Sequence, residues 1–134
     1  MESFNKLIEL VDFKHQIDIK RGKAKYMDLN WIMEEIIDEV REVKEEIKEN
    51  NHIYIDDELA DILWGWLMLV KKTNNKNLSS DIETVTQKAL IKYSQRVNSL
   101  RGDIKDNRRW KDVKELQKRR LEEEHRSKRC KELD

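Results

Sequence analysis

The chain has 134 residues, 42% of them charged against a usual share of roughly a quarter, and only 37% apolar. No proline and three glycines leave little to punctuate tight turns, which excludes a sandwich or barrel. Lys+Arg and Asp+Glu balance at 28 each, so no bulk field draws the protein to nucleic acid or membrane, and the four Trp, four Met and many Ile and Leu exclude linker-type disorder.

In chain order, a first helix is expected over about 3–18. Ser3 would be its N-cap and Phe4, Leu7, Ile8 and Val11 its apolar stripe. A basic connector, Lys20-Arg21-Gly22-Lys23, follows. A second helix is expected from Asp28 or Asn30 to Glu49, because Ile32, Ile36, Val40, Val43 and Ile47 keep the 3.6-residue period. Asn50-Asn51 would end it. The third, capped by Asp56 or Asp57, is the most apolar and runs to the break at Thr73-Asn74-Asn75. A fourth starts near Ser79 or Ser80 with Glu83 placed for a capping box, and Gly102 marks its end. From Asp103 the chain is almost wholly charged, with Trp110, Val113, Leu116 and Leu121 as its large apolar residues. It reads either as a helix docking through a narrow stripe or as a disordered tail. The expected organisation is a helical domain over 1–102 and a charged tail over 103–134.

The longest apolar stretch, 62–70, is too short to span a bilayer. The opening MESFNKLIEL has no basic segment leading into an apolar one. A cytoplasmic protein with no membrane partner is therefore expected. The lone Cys130 rules out a disulfide within the chain.

The chemistry lies on the second and third helices. Glu35, Glu39, Glu42 and Glu46 are spaced by four, three and four, so they form one acidic stripe bordering the apolar one. Like charges at these spacings repel, and more strongly at the edge of a core. Glu58 and Asp61 repeat the pattern at i, i+3 inside the most apolar helix. If the two helices pack antiparallel, Glu39 and Glu42 face Glu58 and Asp61 across one seam. Four carboxylates so placed call for a cation. An all-oxygen cage suits Mg²⁺, with Mn²⁺ as a substitute.

At this point the chain resembles the MazG-like, all-α nucleoside triphosphate pyrophosphohydrolases, whose signature is EExxE, a variable gap, then ExxD. Asp38-Glu39-Val40-Arg41-Glu42 matches the first half and Glu58-Leu59-Ala60-Asp61 the second. Ile36-Ile37 precedes the first half, while Asp57 and Ile62-Leu63 flank the second. The match is good over about 28–70 and extends loosely to Lys92 and Arg96, which look like the family's trailing K…R element. Asp38 departs from the pattern, standing where the family has Glu, but it points about 100° around the helix from Glu39.

The resemblance implies an all-α, four-helix bundle completed by oligomerisation. It also implies Mg²⁺-dependent hydrolysis of a ribo- or deoxyribonucleoside triphosphate to the monophosphate and pyrophosphate, a nucleotide-pool house-cleaning activity. On that analogy Glu39, Glu42, Glu58 and Asp61 hold the metal, and Glu39 or Glu42 activates water. Glu35 and Glu46 then stand behind the cage. Lys92 and Arg96, at i, i+4, suit phosphate contact, with Lys14 as a further candidate and His15 behind it. Trp31 and Trp64 are either stacking surfaces for a base or core residues.

Three rivals are weighed. One is a narrower dUTPase or dCTPase activity. Another is di-iron chemistry, for which Glu49-x-x-His52 and Glu122-x-x-His125 have the spacing but sit at a helix end and in the tail. The third is a non-enzymatic interaction module whose tail pairs Arg108-Arg109-Trp110-Lys111 with Lys118-Arg119-Arg120. Glu115, Glu122, Glu123 and Glu124 offset those cations, so nucleic acid is not the expected partner. Trp66, Met68 and Leu69 surround the third helix on more faces than one bundle can cover, so a homodimer or homotetramer is expected.

Overall fold

The computed structural model of the chain describes residues 1–133, and among them every regular element is helical. Helix α1 spans Glu2–Arg21, α2 Leu29–Glu46, α3 His52–Asn75, α4 Ile82–Asn98 and α5 Asp106–Leu133, with a short 3₁₀ turn over Ala24–Met27 between the first two. They gather into two compact units, residues 1–82 and from Glu83 onward.

The first unit holds α1, α2 and α3. Helix α1 begins a residue before Ser3, so Ser3 is not its cap, and it outruns the expected end by almost a turn. It stops where Gly22 adopts a left-handed conformation, φ 64°, and its N–H caps the carbonyls of Asp18 and Ile19. A glycine suits that φ because it has no Cβ to clash. Asp28 caps α2, its carboxylate accepting from the Asn30 N–H at 3.0 Å. Helix α2 ends at Glu46, three residues earlier than expected. Helix α3 starts at His52 rather than near Asp56 or Asp57. Asn50 and Asn51 account for both shifts. Asn50 turns the chain with φ 57°, and the buried Asn51 amide donates to the Glu46 carbonyl and carboxylate, each at 2.6 Å. The link is then too short for α3 to wait for the aspartates.

Helices α2 and α3 run antiparallel and lie close. A Cβ built on Gly65 would stand 2.8 Å from Ile36 Cγ1, so only glycine fits there without displacing its neighbour. Helix α1 packs on α3, and Val11, Ile32, Leu67, Met68 and Val70 are the buried apolar residues of these helices. This is a small core, and polar groups are buried beside it.

The second unit holds most of α4 and all of α5. The charged segment is helical from Asp106, whose carboxylate accepts from the N–H groups of Arg101 (2.9 Å) and Gly102 (2.7 Å). Arg109 ties Asp103 to Asp106 at 2.6 and 2.8 Å. Further along, Gln117 bridges back to α4 through Arg96, Gln95 and the Lys92 carbonyl. No described helix is long and apolar enough to cross a membrane.

Candidate active site

Glu39 stands on the face of α2 that follows Ile32 and Ile36, and Glu58 and Asp61 stand one turn apart on α3. The antiparallel pairing brings carboxylate oxygens of all three within 4.8 Å of one another. Glu58 and Glu39 are half-buried, and Asp61 is exposed. Glu42, the fourth residue expected in the cage, is exposed and adjoins Glu39 and Glu58 without placing an oxygen in that tight group. One oxygen each of Glu39 and Glu58, both Oε2, is buried with no hydrogen-bond partner.

The electrostatics follow from this crowding. Burial, then the adjoining Glu42 carboxyl and the charge of Asp61, push Glu39 up to about 8. Glu42 and then burial raise Glu58 as well. Two buried oxygens without partners and an all-oxygen donor set fit a hard divalent cation such as Mg²⁺.

The carboxylates open into a cavity of about 410 Å³ between α1, α2 and α3, within the size range of small-molecule sites. Glu39 and Asp61 line one end. Eight residues back along α2, about 12 Å at 1.5 Å per residue, Trp31 lines the other. Trp31 meets Tyr26 edge to face at 5.7 Å, and the Arg21 guanidinium lies 4.1 Å above the Tyr26 ring. Trp64, Gly65 and Met68 form the α3 wall between the ends. Both tryptophans weighed as stacking surfaces therefore line the cavity.

Lys14 also lines it, salt-bridged to Asp18. Lys72, not singled out in the sequence, is fully buried beside them. Its ammonium reaches Asp18 Oδ2 at 2.9 Å, His15 Nδ1 at 2.7 Å and Met27 Sδ at 3.5 Å. Burial would raise the Asp18 carboxyl, but hydrogen bonds from Lys14 and Lys72 outweigh it and hold the group below its usual range. Burial, reinforced by Lys72, lowers His15. Lys72 carries no motif and sits beside Lys71 before a polar break. The one signal available was its place at i+11 from Asp61, on the same face of α3.

Lys92 and Arg96 lie in the second unit, on the α4 wall of a basic groove lined also by Lys88, Lys114 and Lys118. Arg96 is buried. Its guanidinium donates to Gln117 Oε1 at 2.9 Å and packs against the rings of Tyr93 and Trp110. Lys92 is exposed, its ammonium 5.7 Å from the Tyr93 ring. Glu46 is spent on the Asn51 turn. Glu35 faces into the cavity between Glu39 and Trp31.

A carboxylate cluster on paired helices, at one end of an aromatic-lined cavity, defines a class of all-α protein with a candidate divalent-metal site beside a small-molecule cavity. The match of the family model for the MazG nucleotide pyrophosphohydrolase domain, over residues 28–100, places the chain in that family. No curated protein and no solved structure matches it significantly.

Proposed function

We propose that the chain is a Mg²⁺-dependent nucleoside triphosphate pyrophosphohydrolase, cleaving ribo- or deoxyribonucleotides to the monophosphate and pyrophosphate in nucleotide-pool house-cleaning. The observation that carries this reading is the pair of partnerless buried oxygens on Glu39 and Glu58, clustered with Asp61 where Glu39 and Asp61 line one end of the cavity. Glu39, Glu58 and Asp61 would hold the metal, with Glu42 completing the set. The ion, when bound, neutralises phosphate charge and polarises the attacked phosphorus.

The chain's own groups do the rest. Water attacks the α-phosphorus, the bond from that phosphorus to the bridging oxygen breaks, and pyrophosphate leaves. Glu39 or Glu42 accepts the proton of the attacking water. Lys14, expected for phosphate contact, lines the same cavity but at the Tyr26 and Trp31 end, away from the carboxylate cluster. Of the two α4 residues expected for phosphate contact, Lys92 keeps an exposed ammonium in the groove of the second unit, whereas Arg96 is engaged by Gln117 and the rings. Trp31 and Trp64 offer faces for the base. The catalytic domain is assigned to residues 1–102, with 103–134 appended, and the working form is a homo-oligomer in the cytoplasm.

Pyrophosphate release from a panel of ribo- and deoxyribonucleoside triphosphates with Mg²⁺ tests this, with Glu39→Gln and Asp61→Asn beside the wild type. Pyrophosphate and monophosphate should appear in equal amounts and fall at least a hundredfold in both variants, the order expected when a charge-stabilising group is lost. A panel on which only dUTP or dCTP turns over would assign the narrower activity. No turnover with Mg²⁺ or Mn²⁺ would leave the motif as scaffold.

A further inference from the structure

The order of groups along the cavity says more than which reaction it hosts. The α2 wall presents Glu39 at the carboxylate end, Glu35 one turn back and Trp31 one turn further. These steps of four residues are about 6 Å each along the helix. A nucleotide has the same order: reacting phosphate, sugar, base. Resting on the reading above, we infer that Glu35 is the sugar-reading residue of the site, its two carboxylate oxygens accepting hydrogen bonds from the 2′- and 3′-hydroxyls of a ribonucleotide.

Three observations support the assignment. Glu35 is not among the carboxylates whose oxygens converge, so it is free of the metal cluster. No hydrogen bond or ion pair engages it among the described residues, unlike Glu46, which the Asn51 turn consumes, and Asp38, which pairs with Arg41 at 3.1 Å. It lines the cavity although a carboxylate there opposes a polyphosphate. A carboxylate accepts from hydroxyls and repels phosphates, so the uncharged sugar is the one part of the substrate it favours. The same pairing of an acidic side chain with ribose hydroxyls recurs in dinucleotide sites.

The test uses the full chain with Mg²⁺ and three triphosphates sharing whichever base the panel ranks first: ribo, 2′-deoxy and 2′,3′-dideoxy. Each hydroxyl lost should lower wild-type kcat/KM about tenfold, chiefly through KM, because an acceptor oxygen loses its donor. Glu35→Ala should bring the three within about twofold of one another, and Glu35→Gln, which keeps an acceptor oxygen, should retain part of the ranking. A wild-type ranking preserved in Glu35→Ala overturns the assignment. So does a loss of Mg²⁺ affinity in Glu35→Ala measured without nucleotide, since that would make Glu35 a metal-holding group.

Calorimetric titration with non-hydrolysable α,β-imido analogues separates this inference from the reaction itself. Glu35-dependent preference for the ribo analogue, with no turnover of any triphosphate, upholds sugar reading and removes the hydrolase reading. Equal binding of the analogues, or none, with turnover intact or absent, removes the sugar reading.

Discussion

At the residue scale, the carboxylate cluster sets a pH signature. Glu39 has its carboxyl pushed up to about 8 by burial and its neighbours, against an ordinary value of 4.5. Between those two values the metal-free folded chain holds a proton that the unfolded chain has lost. Stability contributed by Glu39 is therefore present at low pH and lost as pH rises toward 8. His15, lowered by burial, works in the opposite sense below its ordinary 6.5, so the window to examine lies above that value. Thermal melts of metal-free protein from about pH 6.5 to 9 should fall more steeply for wild type than for Glu39→Gln. Mg²⁺ should raise the wild-type midpoint more at the alkaline end, because metal and proton compete for the same oxygens. An equal Mg²⁺ shift at both ends would contradict the geometry. The carboxylates themselves were legible because spacing fixes which of them share a helix face. Lys72 and Asp18 were not: their pairing joins residues 54 apart, and no helical period reports it.

At the element scale, periodicity located the first four helices but not the ends of α1, α2 and α3. Helix ends are settled by side chains that satisfy free backbone groups, and between α2 and α3 the deciding one is Asn51 reaching back to Glu46, a bond across a loop. Glycine spacing likewise gave no warning of the approach at Gly65. That approach is testable. An alanine there would gain about 1 kcal/mol of helix propensity. Its methyl would meet Ile36 Cγ1 at 2.8 Å, and overpacking of this kind costs about 1–3 kcal/mol. Gly65→Ala should therefore lower stability in urea unfolding by about 1 kcal/mol net and, because Ile36, Glu39 and Asp61 share the cavity wall, weaken Mg²⁺ binding. Ile36→Ala alone leaves a gap beside the helix pair. The double variant should lose about 1 kcal/mol less than the sum of the two, since the new methyl fills that gap. Strict additivity would show that the helices do not meet there.

At the scale of the whole molecule, the unexplained surface is apolar. On α2, Met33, Ile37 and Val40 are each more than 40% exposed at i, i+4, i+7, on positions turned away from the cavity-lining ones. On α3, Leu59, Leu63 and Trp66 repeat that spacing and are 36 to 50% exposed. Six large apolar side chains on two packed helices form the sort of patch a soluble monomer keeps small, and a second copy offers the identical patch. An isologous pairing would bury it while leaving the cavity, on other positions of the same helices, open. Sedimentation equilibrium should therefore give a mass at least twice the 16.3 kDa chain at micromolar concentration. Ile37→Glu and Leu63→Glu should each shift it to the monomer, because two copies of a new carboxylate would have to be buried at a symmetric contact. Leu90→Glu, more exposed and in α4, serves as the control and should leave the mass unchanged. A wild-type monomer would remove the interface, and dissociation by Leu90→Glu alone would move it off the α2 and α3 faces.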